Sequence, residues 1–197
     1  MKKLLPVLSL LIIISCSKEV QLDQLVERNG LSYEINNKKP FTGSTLSYHP
    51  NGQLESRIEY KDGLKVGMSE IFYENGQILI IENYKDGQFE GLVESFYEDG
   101  SINERSNYKD GQYDGLVETF YKERVALSRS EENYKDGQKN GFSNFYNTDG
   151  YLWIQQHYKD GKKEGLQRHF NNKGYELKSL SRCFKNFNEV PMSYCQN

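Results

Sequence analysis

The sequence lacks most of what a catalytic or nucleic-acid-binding protein needs. It has no Gly-x-Ser-x-Gly elbow, no phosphate loop, no His-Glu-x-x-His and no Cys-x-x-Cys. Its three histidines, His49, His157 and His169, are not spaced as metal ligands. The 25 basic and 28 acidic residues are interleaved, for a net charge of −3. That leaves no basic stripe for a nucleic acid to follow. No apolar run reaches the ~20 residues of a membrane-spanning helix. With 36% hydrophobic residues in 197, there is little material for a thick core between two layers. These shortages point away from an enzyme and from any cofactor.

What the chain has is repetition. The phrase Tyr84-Lys85-Asp86-Gly87-Gln88-Phe89-Glu90-Gly91-Leu92-Val93-Glu94-Ser95-Phe96-Tyr97-Glu98-Asp99-Gly100 returns nearly unchanged from Tyr108, and looser copies start at Tyr60, Tyr134 and Tyr158. A period of about 24 residues marks an array of supersecondary units, each too small to stand alone. Apart from the unit that starts at Tyr108, each unit holds two glycine turns, such as Lys85-Asp86-Gly87 and Glu98-Asp99-Gly100. Asp-Gly and Asn-Gly are strong hairpin signals, because glycine takes positive φ without a Cβ clash. The runs between the turns are six to eight residues long and rich in Val, Ile, Phe, Tyr and Thr, which are strand residues at strand length. One unit is therefore one β-hairpin. The fold class is all-β: a twisted, elongated single-layer antiparallel hairpin array. Twelve strands at ~4.8 Å would make a ribbon roughly 55–60 Å long.

The side-chain pattern sets a register. A three-residue loop at Glu98-Asp99-Gly100, with a glycine bulge, places Phe96 opposite Ile102; a two-residue loop would place Tyr97 there instead. The longer loop joins the two regular positions and is the expectation. Leu92 and Phe96 share parity and so share a face. The repeat tyrosines Tyr60, Tyr84, Tyr108, Tyr134 and Tyr158 are expected as one ladder on that face, beside the row Phe72, Phe96, Phe120 and Tyr146. Ser95, Thr119, Asn103 and Arg105 are expected on the opposite, solvated face. The aromatic face packs strand on strand, and its uncovered part is the candidate partner-binding surface.

Histidine and carboxylate positions have plain explanations. His157 stands where other repeats carry Asn83, Asn107 and Asn133. The recurrent Asp62, Asp86, Asp110, Asp136 and Asp160 lack the dense spacing of a calcium loop and fit turn chemistry. Glu70, Glu94 and Glu118, copied at one position of successive repeats, read as architecture.

The two ends differ from the array. Residues 1–15 have a basic start, Lys2 and Lys3, and an apolar stretch from Leu4 to Ile14, which suits the core of a signal peptide. Ile13-Ile14-Ser15-Cys16 resembles the lipobox of bacterial lipoproteins, which implies that Cys16 becomes the lipidated N-terminus. Several acyl chains at ~0.8 kcal/mol per buried CH₂ would hold the protein on a membrane, outside the cytoplasm. Residues 16–30 read as a tether, partly helical around Leu22 to Arg28; 31–182 are the repeats, and 183–197 a C-terminal cap. In an oxidising compartment Cys183 and Cys195 are expected to pair, two buried thiols being the alternative. The repeat from Tyr108 is two residues longer, with a glycine-free turn at Lys122-Glu123-Arg124. That reads as loop drift, with a specificity loop as the alternative.

The phrase Tyr-Lys-Asp-Gly-x-x-x-Gly followed by Phe-Tyr-x-Asn/Asp-Gly resembles the MORN-repeat variant of bacterial proteins, as do Pro40-Phe41-Thr42-Gly43 and Tyr48-His49-Pro50-Asn51-Gly52-Gln53-Leu54. Many proteins of this kind are classed with YwqK-type antitoxins of toxin–antitoxin systems. The resemblance implies a non-enzymatic binding role toward a protein partner. Joined to the lipobox, it implies an envelope-anchored, immunity-like lipoprotein. The alternative is an envelope scaffold that binds glycan or lipid headgroups through the tyrosine ladder.

Overall fold

A computed structural model describes residues 18–122 and 127–195. The stretch expected to be a signal peptide, Cys16 and most of the glycine-free turn lie outside the described residues. The strands follow in chain order: β1 (Glu19–Gln21), β2 (Leu25–Arg28), β3 (Leu31–Glu34), β4 (Gly43–Tyr48), β5 (Leu54–Lys61), β6 (Leu64–Lys65), β7 (Gly67–Phe72), β8 (Ile78–Lys85), β9 (Gln88–Phe89), β10 (Gly91–Phe96), β11 (Ile102–Lys109), β12 (Gln112–Phe120), β13 (Arg129–Lys135), β14 (Gln138–Tyr146), β15 (Leu152–Lys159), β16 (Lys162–Lys163), β17 (Gly165–His169), β18 (Arg182–Lys185) and β19 (Asn188–Val190). From β4 to β19 the chain runs as one open antiparallel meander, in which β6 and β7, β9 and β10, and β16 and β17 are each two halves of one interrupted strand that pair back on β5, β8 and β15.

Two turn types alternate. At Lys109-Asp110-Gly111-Gln112, Lys109 lies opposite Gln112, and Asp110 and Gly111 have φ of 48° and 77°. Both central residues at positive φ define a type I′ turn, whose twist matches the strands it joins. Asp tolerates that conformation better than most side chains. At the other end, Phe96 lies opposite Ile102, the N–H of Tyr97 bonds the carbonyl of Ser101, and Gly100 closes the three-residue loop at φ 82°. The same register recurs as Tyr48 with Leu54, Phe72 with Ile78 and Tyr146 with Leu152.

Successive turns are stitched together. The N–H of Gly111 bonds the carbonyl of Phe89, and its equivalents at Gly87, Gly137 and Gly161 bond Lys65, Tyr113 and Lys139. The Tyr73 and Tyr97 hydroxyls donate to the carbonyls of Phe96 and Phe120. Neighbouring repeats are thus tied through backbone groups that would otherwise be unpaired at the sheet margins.

The ends are closed differently from the expectation. Residues 18–30 are folded rather than a free tether. β1 pairs parallel with β4, a short 3₁₀ turn follows at Leu22–Gln24, and the stretch beyond it is β2, not helix. Parallel pairing lets Val20 reach the first repeat, where Val20 and Leu25 pack against Phe41, Ile58 and Tyr60. At the other end β18 and β19 form a hairpin, and a disulfide joins Cys183 to Cys195, their Cα atoms 6.0 Å apart. β19 is short, charged at Glu189 and followed by Pro191, which blunts the last edge against further strand addition.

Candidate functional site

The aromatic rows occupy two faces, not one. Tyr108 lies opposite Gly91, so it shares a face with Val93 and Ser106; Leu92 and Glu94 share the other with Asn107 and Arg105. The expectation that tyrosines and phenylalanines lie side by side is therefore corrected. The register shift between Ser95 and Phe96 skips Asn103, and this bulge carries Ile102 to the face that Phe96 shares with Leu92, while Ser95 and Glu104 stay with Tyr108. Counting parity through the strand misses that step. The supposedly solvated set divides for the same reason, Ser95 and Thr119 going with the tyrosines and Arg105 with the phenylalanines.

On the first face the ladder contains residues the sequence reading passed over. Tyr84, Phe89, Tyr108, Tyr113 and Tyr134 form a continuous ring stack, with centroids 4.8, 5.0, 4.6 and 5.1 Å apart and planes tilted by 33–46°. Phe89 and Tyr113 sit five residues after a repeat tyrosine, where the two-residue turn puts them directly opposite it. Other repeats carry lysine there. Lys65 lies over Tyr84 at 4.9 Å, and Lys139 lies between Tyr134 and Tyr158 at 5.9 and 5.4 Å. Cation–π contact thus continues the ladder where an aromatic is missing.

Beside it runs a row of small residues, Ser69, Val93, Ser106, Val117 and Ser143, all buried. No second sheet covers them among the described residues; the large neighbours on the same face do. Glu82 and Glu132 interrupt this row. The Tyr84 hydroxyl donates to Glu82, and the Lys139 ammonium pairs with Glu132. Burial, followed by the Glu82 charge, holds the Tyr84 phenol well above its ordinary range. Burial with the charges of Glu132 and Glu104 pushes Tyr134 up to about 12.

The second face is more open. Its middle row reads Arg57, Glu70, Ile81, Glu94, Arg105, Glu118 and Glu131 in spatial order. Arg57 pairs with Glu70 at 3.2 Å, Arg105 with Glu94 at 2.9 Å and Arg129 with Glu131 at 2.9 Å. On one side lie Phe72, Phe96, Phe120 and Tyr146, the last under the Arg129 guanidinium at 4.4 Å. On the other lie Met68, Leu92, Leu116 and Phe142, one per repeat and 51, 41, 36 and 49% exposed. Asn83, Asn107 and Asn133 donate to the carbonyls of Leu92, Leu116 and Phe142 and fix that margin. His157, at the same position, packs edge-on against Phe142 instead.

Residues 41–62, 65–86 and 89–110 match the MORN repeat variant family. Each matched MORN unit begins at the residue entering the ladder, Phe41, Lys65 or Phe89, and ends at the aspartate of the next type I′ turn. The same hairpin geometry continues beyond them through β15. No curated protein matches the chain. Among the described residues no helix is long and apolar enough to cross a membrane, and no group of three or more His, Cys, Asp or Glu is placed to hold a metal.

Proposed function

We propose that this chain is a non-enzymatic binding lipoprotein of the cell envelope, antitoxin- or immunity-like, which holds a protein partner on its open face. The observation that carries the reading is the row Met68, Leu92, Leu116 and Phe142. Four large apolar side chains recur once per repeat, half exposed, beside ordered Arg–Glu pairs. An apolar strip with a polar margin suits a protein surface, and the MORN match supports a binding module. The partner surface is then Phe72, Phe96, Phe120 and Tyr146 with the Met68 row. The repeat tyrosines serve the fold.

The glycan or headgroup alternative draws less support. A sugar stacks on an open ring face, and the faces from Tyr84 to Tyr134 are taken up by their neighbours in the ladder. The test is affinity capture from the native cells with wild type and with Leu92→Asp/Leu116→Asp. The reading expects one stoichiometric protein on the wild type and its loss from the variant. Equal recovery on both would sink it. For the anchor, Cys16→Ser should move the protein from the membrane to the soluble fraction.

A further inference from the structure

The C-terminal cap does more than end the array. It folds over the last repeat on the open face and leaves a half-enclosed cavity of about 410 Å³ there, floored by Leu166, Met192 and Cys195 and rimmed by Arg168, Glu176 and Lys178. Both capping and disulfide formation could be achieved without a cavity. This one has the size and layout of a small-ligand site: an apolar floor with a few convergent polar groups.

The polar groups are unequally engaged. Arg168 makes only long contacts, 3.4 Å to the side-chain Oε1 of Gln155 and 4.0 Å to the Glu176 carboxylate. Glu176 also accepts a 3.4 Å bond from the Ser181 hydroxyl. Among the described residues no hydrogen bond or ion pair engages the Lys178 ammonium. Two cations thus face one carboxylate across an apolar floor, and the net charge of the rim is positive. Elsewhere on this face the arginines already hold carboxylates at 2.9–3.2 Å, as Arg57 and Arg105 do. Arg168 has the same role open.

We propose that this cavity binds an apolar carboxylate, its chain on Leu166, Met192 and the disulfide, its head between Arg168 and Lys178. Two sources share that chemistry: a free medium-chain carboxylic acid and the C-terminal residue of a polypeptide. The site is independent of the Met68 row, so its failure and the failure of the partner reading are separable.

The test is titration calorimetry on the full chain with its disulfide intact, using octanoate, octan-1-ol, N-acetyl-leucine and N-acetyl-leucinamide. The carboxylates should bind and their uncharged counterparts should bind at least about tenfold more weakly. Binding by octanoate alone assigns the free acid, and by N-acetyl-leucine alone the polypeptide terminus; both uphold the site. Arg168→Gln/Lys178→Gln should weaken binding at least about tenfold with an unchanged melting temperature, and Arg57→Gln, outside the cavity, should not. The proposal is overturned if neither carboxylate binds, if octan-1-ol binds as well as octanoate, or if the double variant binds like wild type.

Discussion

Tyr113→Ala tests the ladder at its centre. The Tyr113 ring touches Tyr108 at 4.6 Å and Tyr134 at 5.1 Å, and the residue is largely buried. Truncation removes two aromatic pairs, each worth ~0.5–1.5 kcal/mol beyond burial. Burial of about two thirds of a ~200 Å² side chain contributes ~3 kcal/mol at ~25 cal/mol/Å². These terms overlap, and a net loss of about 4 kcal/mol is expected, as for aromatic truncation in a core. Urea denaturation reads it: with a slope near ~2 kcal/mol/M, the midpoint should fall by about 2 M. Tyr113→Phe keeps the rings and should lose no more than about 1 kcal/mol. Leu92→Ala, on the open face, should cost about 1 kcal/mol or less. If Tyr113→Ala cost no more than Leu92→Ala, the ladder would not be what joins the repeats.

Three further outcomes follow from the same geometry. Gly111→Ala has room for its Cβ, the nearest atom being Gln88 Cβ at 3.6 Å, so its cost is the positive φ alone, about 1–2 kcal/mol by thermal denaturation; Gly43→Ala would drive its Cβ to 2.1 Å from the Lys18 carbonyl oxygen and should detach β1, read by exposure of that segment to protease. The phenols of Tyr84, Tyr113 and Tyr134 titrate late: their folded pKa values lie above the unfolded value near 10, so the stability they contribute is complete below pH ~10 and is lost as pH rises through about 12, with tyrosinate absorbance and unfolding advancing together. Reducing Cys183–Cys195 frees a 12-residue loop, worth about 3 kcal/mol in the chain-entropy model, and should unfold the cap at a lower temperature than the central repeats, seen as a second transition by calorimetry.

Much of the fold was legible because the repeat fixes both turn types. Asp-Gly and the three-residue glycine loop determine where strands end, and the register of Phe96 against Ile102 follows from loop length. The assignment of faces was not legible from alternation, since one skipped residue, Asn103, reverses it. The signal for Phe89 and Tyr113 was present: in a two-residue hairpin the residue five after each repeat tyrosine lies opposite it, and Lys65, Lys139 and Lys163 occupy that place elsewhere. The N-terminal strand β1 could not be read, because three residues of parallel pairing leave no periodic trace in so short a segment. The cavity under the cap depends on how β18, β19 and Met192–Cys195 fold back, and no spacing in the tail reports that.

The central claim is a division of labour between the faces: the tyrosine ladder holds the array together and the open face recognises a protein. The most direct measurement pairs stability with partner capture for Tyr113→Ala and Leu92→Asp/Leu116→Asp, each against wild type at a temperature where all are folded. The account predicts that the first loses stability and keeps the partner, while the second keeps stability and loses the partner. A partner lost from the ladder variant while folded, or retained in full by the open-face variant, would contradict it.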